Sequence, residues 1–340
     1  MTTGTLHRAA ALREIASPDA SERGRAARQL ARWDDADVVQ ALAAALADSD
    51  RAVCDAAASS LLMIGTADTV QFLLPLLRSD HPGTRNRAGS LLEQLGKAEP
   101  RALIRLSSDP DPRMRLFAAN IMSGTGDHDL APRLTEMLQD ADVNVQDAAV
   151  VGLGRMRASS AVPALRTRLQ ASDPWACFST IDALGTIGTA DALRALLEAA
   201  LTTDAQMRGA FIDAIAATGV PEATAGLLDL LARFLDAGPL VARALLGPLA
   251  HTLADPRFHT PGVASLLADG LARGTPEEIL RALSAPELPI RAAAVEAARV
   301  RSIVEAAPTL SRLRADPDSK IRTAAGAALT AFERARKERL

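Results

Sequence analysis

Short helical patterns of apolar residues alternate with polar turns along this chain, and the alternation repeats. A turn of Asp, Ser or Pro leads into an apolar residue and then a basic one, as in Asp109-Pro110-Asp111-Pro112-Arg113-Met114-Arg115 and Asp316-Pro317-Asp318-Ser319-Lys320-Ile321-Arg322. The same landmark stands at Ser17-Pro18-Asp19, Asp48-Ser49-Asp50, Ser79-Asp80-His81-Pro82, Asp140-Ala141-Asp142, Ala171-Ser172-Asp173-Pro174, Thr203-Asp204 and Ala285-Pro286-Glu287. The period is about 31 residues.

After each turn the apolar residues follow one face of a helix. They read Val53, Ala56, Ala57, Ser60, Leu61, Ile64; Met114, Phe117, Ala118, Ile121, Met122; Val145, Ala148, Ala149, Leu153, Met156; and Met207, Ala210, Phe211, Ala214, Ile215. Such spacing buries one stripe. Asp and Ser in the turns supply N-caps. Gly65, Gly96, Gly126, Gly188 and Gly219, with Arg157 in the equivalent place, supply left-handed C-caps. Each period is therefore predicted to be a helical hairpin, and the fold class to be all-α, an α-α superhelix of about 10 antiparallel helix pairs.

These turns resemble those of the HEAT-repeat family, in particular the short bacterial bilin-lyase-type HEAT-like repeats; the residues that carry the resemblance are Asp109 through Ala119 and Asp316 through Ala325. It implies one HEAT-like solenoid over residues 1–340. Regular repeats are expected over 4–219, irregular ones over 220–275, and regular C-terminal repeats with a cap over 276–340. In the middle stretch Asp236-Ala237-Gly238-Pro239 opens a late unit, and Asp255-Pro256 through Pro261-Gly262 predicts a bend.

Composition fits helix-on-helix packing. Hydrophobic residues make up 48% of the chain but aromatics only 3%, so the apolar content is mainly Ala and Leu, which let helices approach closely. The net charge of −3 is unlike that of a nucleic-acid binder. No secretory leader is evident at the N-terminus and no apolar run reaches the length of a membrane span, so a soluble, cytoplasmic protein is expected.

Candidate chemistry is sparse. His7, His81, His128, His251 and His259 form no metal-binding spacing, and Asp127-His128-Asp129 has no nucleophile beside it. No catalytic set, metal site or cofactor is expected. The basic residue after the first apolar position recurs as Arg23, Arg85, Arg115, Arg208, Arg291 and Arg322, and is expected to tie repeats together by pairing with turn carboxylates. Cys54, Cys177 and Gln146 occupy the same slot. The two cysteines are about four repeats apart, too far for a disulfide, and are read as packed thiols. Trp33 and Trp175 are expected to pack near helix ends, the latter with a ligand contact as the alternative.

Opposite the buried stripe of each second helix lies a row that in HEAT-type solenoids lines the concave wall. It carries no basic residue from Asp55 to Ala216 and has an apolar centre. The predicted partner-binding residues are Leu116, Asn120, Asp147, Val150, Val151, Phe178, Ile181, Asp182, Ile212 and Asp213. They point to a non-enzymatic scaffold that binds a helix or peptide of a protein partner. The resemblance also raises a bilin-lyase-like or chromophore-handling role, or nucleic-acid binding. Bilin lyases need aromatic and basic groups in a pocket, and HEAT-like DNA glycosylases need a basic wall, and this row supplies neither.

Overall fold

A computed structural model describes residues 3–170, 174–203, 207–220, 222–233 and 261–338; side chains are described over 5–170, 177–203, 207–220, 222–233 and 262–335. The described residues are all-helical, with no strand among them, which confirms the all-α fold class and its stacked hairpins. Contacts divide the chain into two compact units, Met1–Ala164 and Leu165–Leu340.

The first unit contains α1 (Thr3–Glu14), α2 (Ala20–Leu30), α3 (Ala36–Ala45), α4 (Arg51–Ile64), α5 (Ala67–Leu73), α6 (Pro82–Leu95), α7 (Pro100–Leu106), α8 (Pro112–Thr125), α9 (Ala131–Met137) and α10 (Val143–Arg155), and α11 (Val162–Arg168) spans the boundary. Each even-numbered helix packs on the helix before it and on the even-numbered helices of the neighbouring hairpins. Most of the predicted stripe is core: Val53, Ala57, Leu61, Met114, Ala118, Met122, Val145, Ala149 and Leu153 are buried, while Ile64, Phe117 and Ala148 are half-buried. Ser60 is buried in that stripe without penalty, because its hydroxyl donates to the Ala27 carbonyl of α2 at 2.9 Å.

The second unit contains α12 (Pro174–Ile187), α13 (Ala190–Thr202), α14 (Arg208–Ala217), α15 (Glu222–Arg233), α16 (Pro261–Ala272), α17 (Pro276–Ala282), α18 (Leu288–Val300), α19 (Ala307–Leu313) and α20 (Ser319–Glu338). Here α12 packs on α13 and α14, and α18 lies between α16 and α20. Asp236–Pro239 and most of the predicted bend at 255–262 lie outside the described residues, as do the Trp175 side chain and the turn before α12.

Two adjacent acids in the turn divide the labour. In Asp48-Ser49-Asp50 the first carboxylate accepts from the Asp50 amide at 2.8 Å, and Asp50 caps α4 through the Ala52 amide at 2.7 Å. Asp109/Asp111, Asp140/Asp142 and Asp316/Asp318 do the same.

At the far ends Gly65, Gly126, Gly188 and Gly219 have φ between 59° and 67°, and Arg157 takes φ 49° in the same role. Gly96 departs from expectation: its φ is −58°, so it is no left-handed cap. Space explains it instead. A Cβ there would come within 2.8 Å of Thr125 Cγ2 and 2.9 Å of Leu103 Cδ1.

Candidate functional site

The recurring Arg slot is a clamp between repeats. Arg115 donates Nη1 to the Asp109 and Pro110 carbonyls of its own turn at 2.9 and 3.2 Å, and Nε and Nη2 to the two oxygens of Asp140 at 2.7 and 2.8 Å. Arg23 treats Ser17, Pro18 and Asp48 alike, and Arg291 bonds the Ala285 and Pro286 carbonyls in the same way while its Nε donates to one oxygen of Asp316 at 3.2 Å. The guanidinium beside Asp48 and Asp140, helped by the turn amide, holds each carboxyl below the usual range against the opposing effect of burial.

Substitutes in the slot keep the carbonyl half of this clamp. Gln146 Nε2 donates to the Asp140 carbonyl at 2.6 Å, and Cys54 Sγ reaches the Leu46 and Asp48 carbonyls at 3.4 and 3.2 Å. Burial pushes the Cys54 thiol up, away from the reactive thiolate. Cys177 is half-buried, with Sγ 3.7 Å from the Leu169 carbonyl. His128 is exposed at the start of a 3₁₀ turn that the Asp127 carboxylate caps.

The row predicted to meet a partner divides in two. Val151 is 51% exposed and Phe178 43%, whereas Val150 is fully buried and Ile181 only 2% exposed. Val150 and Ile181 therefore leave the predicted contact set. The cause is lateral packing: a second helix is flanked by other second helices as well as by its own hairpin mate, so the position preceding the open one turns into a neighbour. Ala119 is buried in the same way. Towards the helix ends the row closes at Ser123, Gly154 and Gly185, which are buried. At Gly185 a Cβ would stand 2.9 Å from the Ala214 carbonyl oxygen, which shows how closely α12 approaches α14.

Of the predicted contact residues, Asn120 and Val151 stay open in the first unit, with Leu116 and Asp147 half-buried. In the second unit Phe178, Asp182 and Asp213 are exposed and Ile212 is half-buried. Sequence carried a signal for the difference. The position closed at Ala119, Val150 and Ile181 reads Ala58, Gly89 and Ile212 in the other units, where it is half-buried, and is never polar, while the next reads Ser59, Ser90, Asn120, Val151, Asp182, Asp213.

Among the described residues no cluster of three His, Cys, Asp or Glu could hold a metal ion, and no helix is long and apolar enough to cross a membrane.

This architecture of clamped helical hairpins is that of HEAT repeats, and residues 9–93 and 99–177 match the HEAT-repeat family model. Those residues carry HEAT repeats, as the turn motifs indicated. Similar solved structures include an engineered protein, at 18% identity over 96% of this chain and 99% of that one with a TM-score of 0.45. Importin beta is similar at 14% identity over 95% of this chain and 54% of that one, with a TM-score of 0.47. The CpcE–CpcF complex of phycocyanin lyase from Nostoc sp. PCC7120 is similar at 22% identity over 62% of this chain and 86% of that one, with a TM-score of 0.29. These likenesses say nothing of what this chain binds. No curated protein is significantly similar in sequence.

Proposed function

We infer that this chain is a non-enzymatic scaffold whose second-helix rows hold a helix or extended peptide of a protein partner. The observation that carries this reading is Phe178, 43% exposed on α12 in a chain with only 3% aromatics, one helical turn before the exposed Asp182. Large aromatic side chains left open on a rigid helix are efficient anchors, because they bury much area for little lost freedom. Ile212 and Asp213 on the adjoining α14 repeat the apolar-acidic pairing, and Leu116, Asn120, Asp147 and Val151 form a comparable row in the first unit. With carboxylates and no basic residue along these rows, the fitting partner is an amphipathic segment with Lys or Arg beside its apolar residues.

The test is affinity purification on the intact chain and on Phe178→Ala/Asp182→Lys, followed by mass spectrometry. The expected result is a protein recovered by the parent and lost from the variant, with both unfolding at the same temperature. Equal recovery overturns the reading.

A further inference from the structure

Arg85 is the one described Arg of the clamp series that lies between two described turns and lacks its carboxylate. Its Nη1 donates to the Ser79 and Asp80 carbonyls at 2.6 and 3.1 Å, as the series requires. In Arg23, Arg115 and Arg291 the other edge of the guanidinium then takes an Asp 25 residues along. For Arg85 that position is Pro110, because the repeat from Ser79 to Asp109 is one residue shorter than its neighbours. The displaced Asp109 is taken by Arg78 Nη2 at 2.5 Å. Among the described residues no acceptor meets Nε or Nη2 of Arg85.

Arg85 lines a cavity of about 350 Å³ in the first unit, together with residues of the turn before α6 and the first turns of α8. Leu77, Met114, Leu116 and Phe117 give it an apolar side. Its charged lining is Arg78, Arg85 and Arg113 against Asp80 and Asp111. Asp111 is already engaged by Arg113 at 2.9 Å and lies 4.0 Å from Arg78. With Arg78 paired to Asp109 and Arg113 to Asp111, Arg85 is the guanidinium of this lining that keeps an unpaired edge, which suits a single negative charge.

We propose that this cavity binds a carboxylate carried on an apolar body, with the free edge of Arg85 as its anchor and Met114 and Phe117 against the apolar part. The planar fork of Arg suits a carboxylate's two oxygens, and this chain uses it so at Asp48 and Asp140. The ligand can be a free organic acid or the C-terminal carboxylate of a peptide. The cavity shares Leu116 with the first-unit row, but the proposal does not rest on the scaffold reading.

The experiment titrates the full chain, labelled at its methionine methyls for NMR, with 3-phenylpropionate, 3-phenylpropionamide, N-acetylphenylalanine and inorganic phosphate. Saturable movement of the Met114 methyl with either carboxylate, absent with the amide and with phosphate, is expected. Preference for 3-phenylpropionate assigns a free acid, and preference for N-acetylphenylalanine a peptide terminus. Arg85→Gln should weaken binding about tenfold or more while unfolding at the parent temperature, since Gln146 fills the same slot in its own repeat. An amide or phosphate that binds as well as the acids, an unmoved Met114 signal, or an Arg85→Gln chain that binds like the parent would each overturn the proposal.

Discussion

The guanidinium of Arg115 closes on the carboxylate of Asp140, 25 residues further along the chain, with both oxygens engaged at 2.7 and 2.8 Å. Both side chains are largely withdrawn from water. Asp140 also orders its own turn by accepting the Asp142 amide at 2.9 Å. Asp140→Ala is therefore expected to cost about 2 kcal/mol. A double-mutant cycle with Arg115→Ala should assign about 1 kcal/mol of that to the pair. Urea unfolding of the four proteins measures both; additive losses would show that the pair contributes nothing.

Acid should loosen the molecule through these same carboxylates. Asp48 and Asp140 titrate lower folded than unfolded. Their contribution is thus complete above the ordinary aspartate value of about 3.9 and is lost as pH falls through the lower folded values. The urea midpoint should be flat from pH 7 to about 5 and drop below about 4. In Asp140→Asn the drop should be shallower.

Val150 and Val151 are neighbours in sequence with opposite fates. Val150→Ala empties a fully buried site and should cost about 2 kcal/mol. Val151→Ala should lie within about 0.5 kcal/mol of the parent. Thermal unfolding of the two variants distinguishes them, and similar losses would contradict the burial described for α10.

Two glycines make a similar contrast. Gly89, inside α6, has nothing within 4 Å of where a Cβ would sit, so Gly89→Ala should stabilise by about 0.5–1 kcal/mol through helix propensity. Gly185→Ala would place its methyl 2.9 Å from the Ala214 carbonyl oxygen and should destabilise. Differential scanning calorimetry reads the sign of each.

Cys54 should resist alkylation. Buried in the clamp slot, with its thiol pushed up by desolvation, it should react with iodoacetamide at pH 8 only on unfolding. Fast labelling in native buffer would contradict that placement.

The hairpins were legible in sequence because each obeys one helical period and one turn chemistry, both local. The all-α class, the buried stripe from Val53 to Ile215 and the clamp role of Arg23, Arg115 and Arg291 followed from that. Val150 and Ile181 did not, because a single helix's period locates its own hairpin mate and is blind to the helices flanking it. Gly96 failed for the same reason: its constraint comes from Thr125 and Leu103, not from its own backbone. The vacancy at Arg85 needed spatial pairing, since only the partner Asp of the other arginines reveals that Pro110 stands where an acid should.

Every such clamp joins residues only 25 apart. Two successive hairpins thus hold all that is needed to lock them to each other, and docking can begin while later residues are still being synthesised. Nascent chains released at successive lengths should gain protease resistance in steps of one repeat, with a weaker step where Arg85 finds no acid to grip.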